Sequence, residues 1–384
     1  MDIAFLLKKM VDNGASDLFL TVGVPPSIKI NGKIHALSKD ICNPDEVAKA
    51  IQSIMSATQI DEFHRTNECN FAYGLAQIGR FRVSAFIQRN CAGCVVRHIK
   101  THVPTMEELD LPTVMKSLAL CKKGLVLIVG STGVGKTTTL ASIIEYRASM
   151  TNGHILTIED PVEYLHKHQQ CIVTQREVGI DTASFEIALK NAMRQAADVI
   201  QIGEIRDANT MKYAMAFAET GHLCLATLHA ANAVQALERI AHFYPENIRD
   251  QLWMDLSMNL RGIVAQQLLP HASGKERVVA VEILMNTPII FELIRKGEIN
   301  ELKEHMMRQT GQGMQTFDQA LFNLYTAGKI SYKDALMHAD SVNNLRLMIK
   351  LNSKNADCGE DPEEHQSWAL VNQQEKGDGP HPTE

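Results

Sequence analysis

Nine consecutive residues, Gly130, Ser131, Thr132, Gly133, Val134, Gly135, Lys136, Thr137 and Thr138, combine glycines, hydroxyls and one lysine at the spacing G-x4-G-K-T. Glycines at Gly133 and Gly135 let the backbone curl without Cβ clashes, so that successive N–H groups can point at one anion. A helix starting there adds its positive N-terminal end. Lys136 brings a point charge suited to the β- and γ-phosphates of a nucleotide, and the Thr137 hydroxyl is a Mg²⁺ ligand. The chemistry implied is binding of ATP or GTP.

Three further stretches carry groups that this chemistry would use. Residues 157–164 read TIEDPVEY, and Glu163 is suited to orient or deprotonate a water for attack on the γ-phosphate. Residues 203–207 read GEIRD, where Glu204 is suited to hold Mg²⁺ and its waters, and Asp207 to cap the next helix. His222 and His229 bracket an apolar run and stand seven residues apart. On a strand they point to opposite faces at opposite ends, which argues against a shared metal. His229 is then at the carboxyl end, where a phosphate would lie. Arg80, Arg82, Arg89 and Arg97 fall on adjoining alternating segments. They are either a solvated face or guanidinium groups aimed at a γ-phosphate, and spacing leaves both open.

These groups need strands that deliver them to one edge. The loop follows the apolar run 125–129 and precedes a helical pattern over 138–147. Runs 154–158, 199–202 and 223–228 repeat the strand–helix alternation, which predicts a parallel α/β core over 113–286. Ligands in such sheets sit outside the carboxyl ends of the strands. Residues 1–100 read instead as a small, mostly antiparallel α+β domain: strands near 18–21, 27–30, 70–77, 80–88 and 94–100, an Asn31–Gly32 turn, and a helix capped by Asn43. Phe81, Val83, Ala85 and Ile87 alternate with Arg80 and Arg82, so one face is apolar. Residues 101–112 read as an interdomain linker, 287–350 as a helical segment containing a helix capped by Thr316 and ended by Gly328, and 351–384 as an acidic disordered tail.

The formal net charge of −6 resides in that tail, which holds eight acids against two lysines, so residues 1–350 are neutral. A neutral body argues against a nucleic-acid partner. The 8 cysteines are scattered, and only Cys91 and Cys94 form C-x-x-C, with no second pair at zinc spacing. Free thiols, no signal-peptide pattern in the first residues and no apolar run of about 18 residues lead to the expectation of a cytoplasmic protein.

Taken in order, GASDLFLTVGVPPSIKINGKI at 14–34, GSTGVGKTTT, TIEDPVEY, GEIRD and TGHLCLATLHAANA at 220–233 resemble the type II/IV secretion ATPases, and within them the type IV pilus retraction ATPases of the PilT/PilU kind. The resemblance covers residues 1 to about 350 and leans to the PilU side in GMQTFDQALFNLYTAGKIS and SVNNLRLMIKL. It implies a PAS-like N-terminal domain, a RecA-like P-loop ATPase core and ATP with Mg²⁺ between them. It also implies a homohexameric ring, peripheral at the inner membrane, working on a pilus platform protein and alongside a paralogous retraction ATPase. By the same resemblance Glu163 is the catalytic glutamate, Glu204 the Walker B acid, and Arg82 and Arg97 reach the γ-phosphate. His222 and His229 then serve hydrolysis and subunit coupling. The chain departs from the family pattern at Ala197, where a proline is usual, and at Gln201, in a strand that is usually all aliphatic. IIFELIRK at 289–296 also differs from the retraction-motor pattern. An alternative reading is therefore an accessory nucleotide-binding subunit that contributes docking more than power.

Overall fold

The computed structural model describes residues 1–30, 32–274 and 276–352. The expected turn residue Asn31 and the expected tail beyond residue 352 lie outside the described residues.

Alternation in the first hundred residues builds one antiparallel sheet. Its strands are β1 (Asp17–Leu20), β2 (Ser27–Ile30), β3 (Lys33–Ala36), β4 (Glu68–Leu75), β5 (Gly79–Gln88) and β6 (Cys91–Ile99), in the order β3-β2-β1-β6-β5-β4. Phe81, Val83 and Ala85 are buried against the helices Ile3–Asp12 and Pro44–Gln52, while Arg80 and Arg82 take the other face. Ile87 does not continue the apolar face. It is 38% exposed, because β5 there runs out towards the turn at Arg89 and Asn90. Asn43 caps the second helix as expected, accepting from Glu46 N at 2.9 Å. A third helix, Ala57–Thr66, had no counterpart in the sequence reading; only Phe63 on it is buried, so its apolar stripe is too thin to stand out.

The second sheet has seven strands: β7 (Gly124–Val129), β8 (Gly153–Glu159), β9 (Cys171–Glu177), β10 (Val199–Ile202), β11 (Leu223–Leu228), β12 (Leu260–Pro270) and β13 (Arg277–Met285). Their order is β13-β12-β7-β11-β10-β8-β9, parallel throughout except for the β12–β13 hairpin. Every residue of β7 and β11 is buried, as a strand covered on both faces requires. The four strands read from sequence form the centre. β9, β12 and β13 were not read, and β9 ends in the polar run Gln175, Arg176, Glu177. The expected class, an α/β P-loop core behind a small α+β domain with a helical C-terminal segment, is the architecture observed.

Residues 101–112 are bound to the second sheet. Met106 and Leu111 pack with Met115 and Leu118 beneath it, and Val103 packs on Tyr164. Just before this segment, Lys100 pairs with Tyr164 in an isolated parallel bridge, and Leu165 N donates to Lys100 O at 3.0 Å. In the C-terminal segment the helix Phe317–Thr326 has the Thr316 cap, reinforced by Gln319, and Gly328 follows it at φ +68. The last helix, Val342–Asn352, runs two residues past the expected limit of 350. No helix among the described residues is long and apolar enough to cross a membrane.

One core carboxylate links the sheet to these helices. Glu282 on β13 is 3% exposed, and its Oε1 accepts from Ala233 N at 2.8 Å, at the start of the helix Ala233–His242. Burial outweighs that bond and pushes the carboxyl from 4.5 up to about 7. A carboxyl raised by folding stabilises most below its unfolded pKa. That contribution is therefore whole below pH 4.5 and is lost as the pH rises through about 7. Glu282→Gln keeps a carbonyl for Ala233 N and should gain stability over the parent at pH 8 but not at pH 4. Thermal melts at the two values check this, and parallel pH dependence of both proteins would contradict it.

Candidate nucleotide-binding site

The cavity of about 740 Å³ at the carboxyl ends of β7, β8, β10 and β11 is lined by the glycine loop, Glu163, Glu204 and His229. The loop leaves β7 directly. Gly133 and Gly135 have φ of +81 and +91, a conformation that side chains resist, and Gly135 opens the helix Lys136–Met150. From the neighbouring strand β12, Gln266 Nε2 donates to Val134 O at 2.9 Å and steadies the loop. Lys136 is buried, and its Nζ donates to Gly130 O at 2.8 Å and Ser131 O at 2.9 Å. Desolvation lowers its pKa, and the Glu204 charge only partly restores it.

Glu204, just past β10, is the hub. Its Oε1 lies 2.9 Å from His229 Nε2 and its Oε2 accepts from Arg206 Nε at 2.8 Å. His229 stands just past the carboxyl end of β11, and its Nδ1 is 3.4 Å from Lys136 Nζ. An ammonium can only donate, so Nδ1 accepts and Nε2 carries the proton given to Glu204. Lys136, His229 and Glu204 thus form one line along the cavity floor. Asp207 caps the helix Ala208–Glu219, accepting from Thr210 N at 2.7 Å.

The loop after β8 forms the opposite wall. Glu163 faces the cavity, and Tyr164 OH is 3.0 Å from Thr138 Oγ1 on the phosphate-loop helix. Glu159, at the end of β8, also borders the cavity but is buried, its Oε1 accepting from Thr157 Oγ1 at 2.6 Å and Gln175 Nε2 at 3.2 Å. Burial raises the Glu159 pKa.

The site residues expected from sequence therefore divide. Gly133, Val134, Gly135, Lys136, Thr137, Thr138, Thr132, Glu163, Glu204 and His229 line one cavity, with Gly130 and Ser131 holding the Lys136 ammonium. Arg82 and Arg97 do not line it. They sit opposite each other on β5 and β6, Arg82 bound to Glu177 and Arg97 Nε donating to Asp17 Oδ1 at 2.9 Å. The Arg97 pKa is raised first by that bond to Asp17; burial opposes it, and the charges of Asp17 and Glu163 add to it. His222 lies at the far end of β11, roughly 23 Å of strand from His229, where its Nδ1 contacts Phe217 O at 3.2 Å. Sequence reasoning missed Gln266, Glu159, Tyr164 and Glu177. Glu159 and Tyr164 sit inside a stretch already singled out, whereas Gln266 and Glu177 lie on strands that were not read.

The residues present suit a magnesium nucleotide. Lys136 is a desolvated cation at the mouth of an N–H-rich loop, which a phosphate would complement. Thr137 and Glu204 offer hard oxygen donors on the same cavity. Among the described residues no three His, Cys, Asp or Glu side chains group as a metal site, so a cation here would draw further ligands from phosphate and water.

A strand–glycine loop–helix unit with acids past the ends of other strands of the same parallel sheet is the P-loop class of α/β fold. The profile of the family described as type II/IV secretion system protein matches residues 2–318, and the chain belongs to that family. It is 59% identical over 354 residues to the type IV pilus ATPase PilU of Pseudomonas aeruginosa, covering 92% of this chain and 93% of that one. The type IV pilus retraction ATPase PilT of the same organism is 38% identical over 335 residues, covering 87% of this chain and 97% of that one. The crystal structure of the pilus retraction motor PilT with bound ADP matches with a TM-score of 0.84 at 38% identity, over 91% of this chain and 100% of that one.

Among the described residues Gln201 is, with Gln266, one of two glutamines at this site whose side-chain oxygen is buried and unpaired. It is 4% exposed in β10, it borders the cavity, and its Oε1 is sealed off without a hydrogen-bond partner. The other departure from the family pattern, Ala197, is simply packed in the core. A buried acceptor left unpaired is destabilising. Gln201→Leu should raise the thermal midpoint, by roughly 2–4 °C for each kcal/mol recovered. Differential scanning calorimetry reads this, and a lower midpoint would show that the amide is satisfied in solution.

Proposed function

We propose that this chain hydrolyses ATP to ADP and phosphate in a Mg²⁺-dependent reaction and, as a hexameric ring, drives retraction of a type IV pilus. The observation that carries the reading is the unbroken line from Lys136 through His229 to Glu204 beside the glycine loop. The relatives, pilus ATPases matched over most of their length, support it.

In this reading Lys136 exchanges the carbonyls of Gly130 and Ser131 for the β- and γ-phosphates, which returns a counter-charge to a desolvated cation. Thr137 and Glu204 hold Mg²⁺, which when bound neutralises charge building on the phosphate oxygens. Glu163 orients the attacking water and takes its proton. His229, held between Lys136 and Glu204, reports the presence of the γ-phosphate to both. Arg82 and Arg97 swing in from the N-terminal sheet, and their contact with phosphate closes domain 1–100 on core 113–286. Met106 and Leu111 are anchored in the core, so the swing is about the start of the 101–112 segment. His222, remote from the cavity, serves coupling to the next subunit. Such a motor would work from the cytoplasmic side of the inner membrane, on a pilus platform protein and beside a paralogous retraction ATPase, with no nucleic acid involved.

The unpaired Gln201 oxygen against the cavity favours a second reading, a nucleotide-binding accessory subunit with little motor activity of its own. Phosphate release from Mg-ATP separates the two. The parent should turn over, Lys136→Ala and Glu204→Gln should abolish it, and Glu163→Gln should lower kcat by about 100-fold or more while still binding nucleotide. ATP binding without turnover in the parent would overturn the motor reading in favour of the accessory one.

A further inference from the structure

Arg82 is not idle in this structure. Its Nη2 lies 2.5 Å from Glu177 Oε1, a contact between the N-terminal sheet and the last residue of β9 in the core. The Glu177 side chain is 2% exposed. Its second oxygen, Oε2, accepts from Val162 N at 3.3 Å, one residue before Glu163. One buried carboxylate therefore grips the domain carrying Arg82 and the backbone carrying Glu163. Burial raises the Glu177 pKa and the Arg82 charge is the largest influence opposing it, so this carboxylate depends on its guanidinium partner.

We propose that Glu177 is the resting seat of Arg82, a positioning residue that competes with the γ-phosphate for the same guanidinium. This rests on the reading of Arg82 as a γ-phosphate ligand. Arg82 cannot serve both anions at once, so closing on a nucleotide means exchanging a carboxylate for a phosphate oxygen. A nucleoside triphosphate supplies the replacement anion and a diphosphate does not. The seat thereby makes domain closure selective for the third phosphate, and it sets the threshold at which closure occurs. Arg97 differs in kind, since its partner Asp17 belongs to its own sheet and moves with it.

The test compares affinities of the full chain for ATPγS and ADP in the presence of Mg²⁺. Glu177→Gln keeps a carbonyl for Val162 N but gives up the charge that holds Arg82. It should bind ATPγS about fivefold tighter or more, with ADP changed by less than about twofold. Equal shifts for both nucleotides, or no change in their ratio, would overturn the seat and leave Glu177 a structural residue. If Glu177→Gln does not fold, Glu177→Asp, one methylene short of Arg82, should show the same selective tightening at smaller size, and a ratio equal to the parent's overturns the proposal. Arg82→Gln measured alongside tests the underlying reading separately, since it should weaken ATPγS and spare ADP. In that background Glu177→Gln should add nothing.

Discussion

A positive charge taken out of water, with no carboxylate in direct contact, governs the layout of this molecule. Lys136 is buried with two carbonyl oxygens and one imidazole nitrogen as its contacts. The glycine loop can impose this only because β7 is clamped between β11 and β12, so that the loop has a fixed origin. Gln266 then braces it from the side. The parallel strand ends direct the loop, Glu204 and His229 at one space, where a phosphate would complement the lysine.

The core strands were legible because they are buried on both faces and read as unbroken aliphatic runs, and the loop because its glycines and lysine are chemically unusual. The caps at Asn43, Asp207 and Thr316 were legible because side-chain oxygens at helix starts have a local reason to be there. What escaped reading was non-local. β9 is a sheet edge whose polar end is satisfied by other elements, Gln175 by Tyr164 O and Glu177 by Arg82 and Val162 N. Residues 101–112 show no periodicity, yet Met106 and Leu111 are buried, because single apolar side chains can anchor an irregular segment. The arginine face was visible as alternation, but its partners stand 95 residues away for Arg82 and 80 for Arg97.

The two arginines show how one sheet can present similar groups to different ends. Opposed on neighbouring strands, they hold acids of different domains. The pair is thus split between a contact that crosses from one sheet to the other and one that stays within a single sheet. The half-exposed Arg97 also lies within the electrostatic reach of Glu163, so the N-terminal sheet faces the loop after β8 with charge from two directions.

The short bridge between Lys100 and Tyr164 gives that facing arrangement a mechanical character. Two residues separate Arg97 from the bridge on one side, and Glu163 is the immediate neighbour of Tyr164 on the other. Leu165 N bonded to Lys100 O is the hydrogen bond that holds this bridge. The end of β6 and the acidic loop are therefore tied: in the proposed motor a rotation of the N-terminal sheet would be delivered to the Glu163 backbone through two or three peptide units, and Tyr164, bonded to Thr138, would pass it on to the phosphate-loop helix. In that motor a gear of this kind would let the position of a whole domain be sensed at a single carboxylate, and would let a change at that carboxylate's loop be felt as torque at the domain.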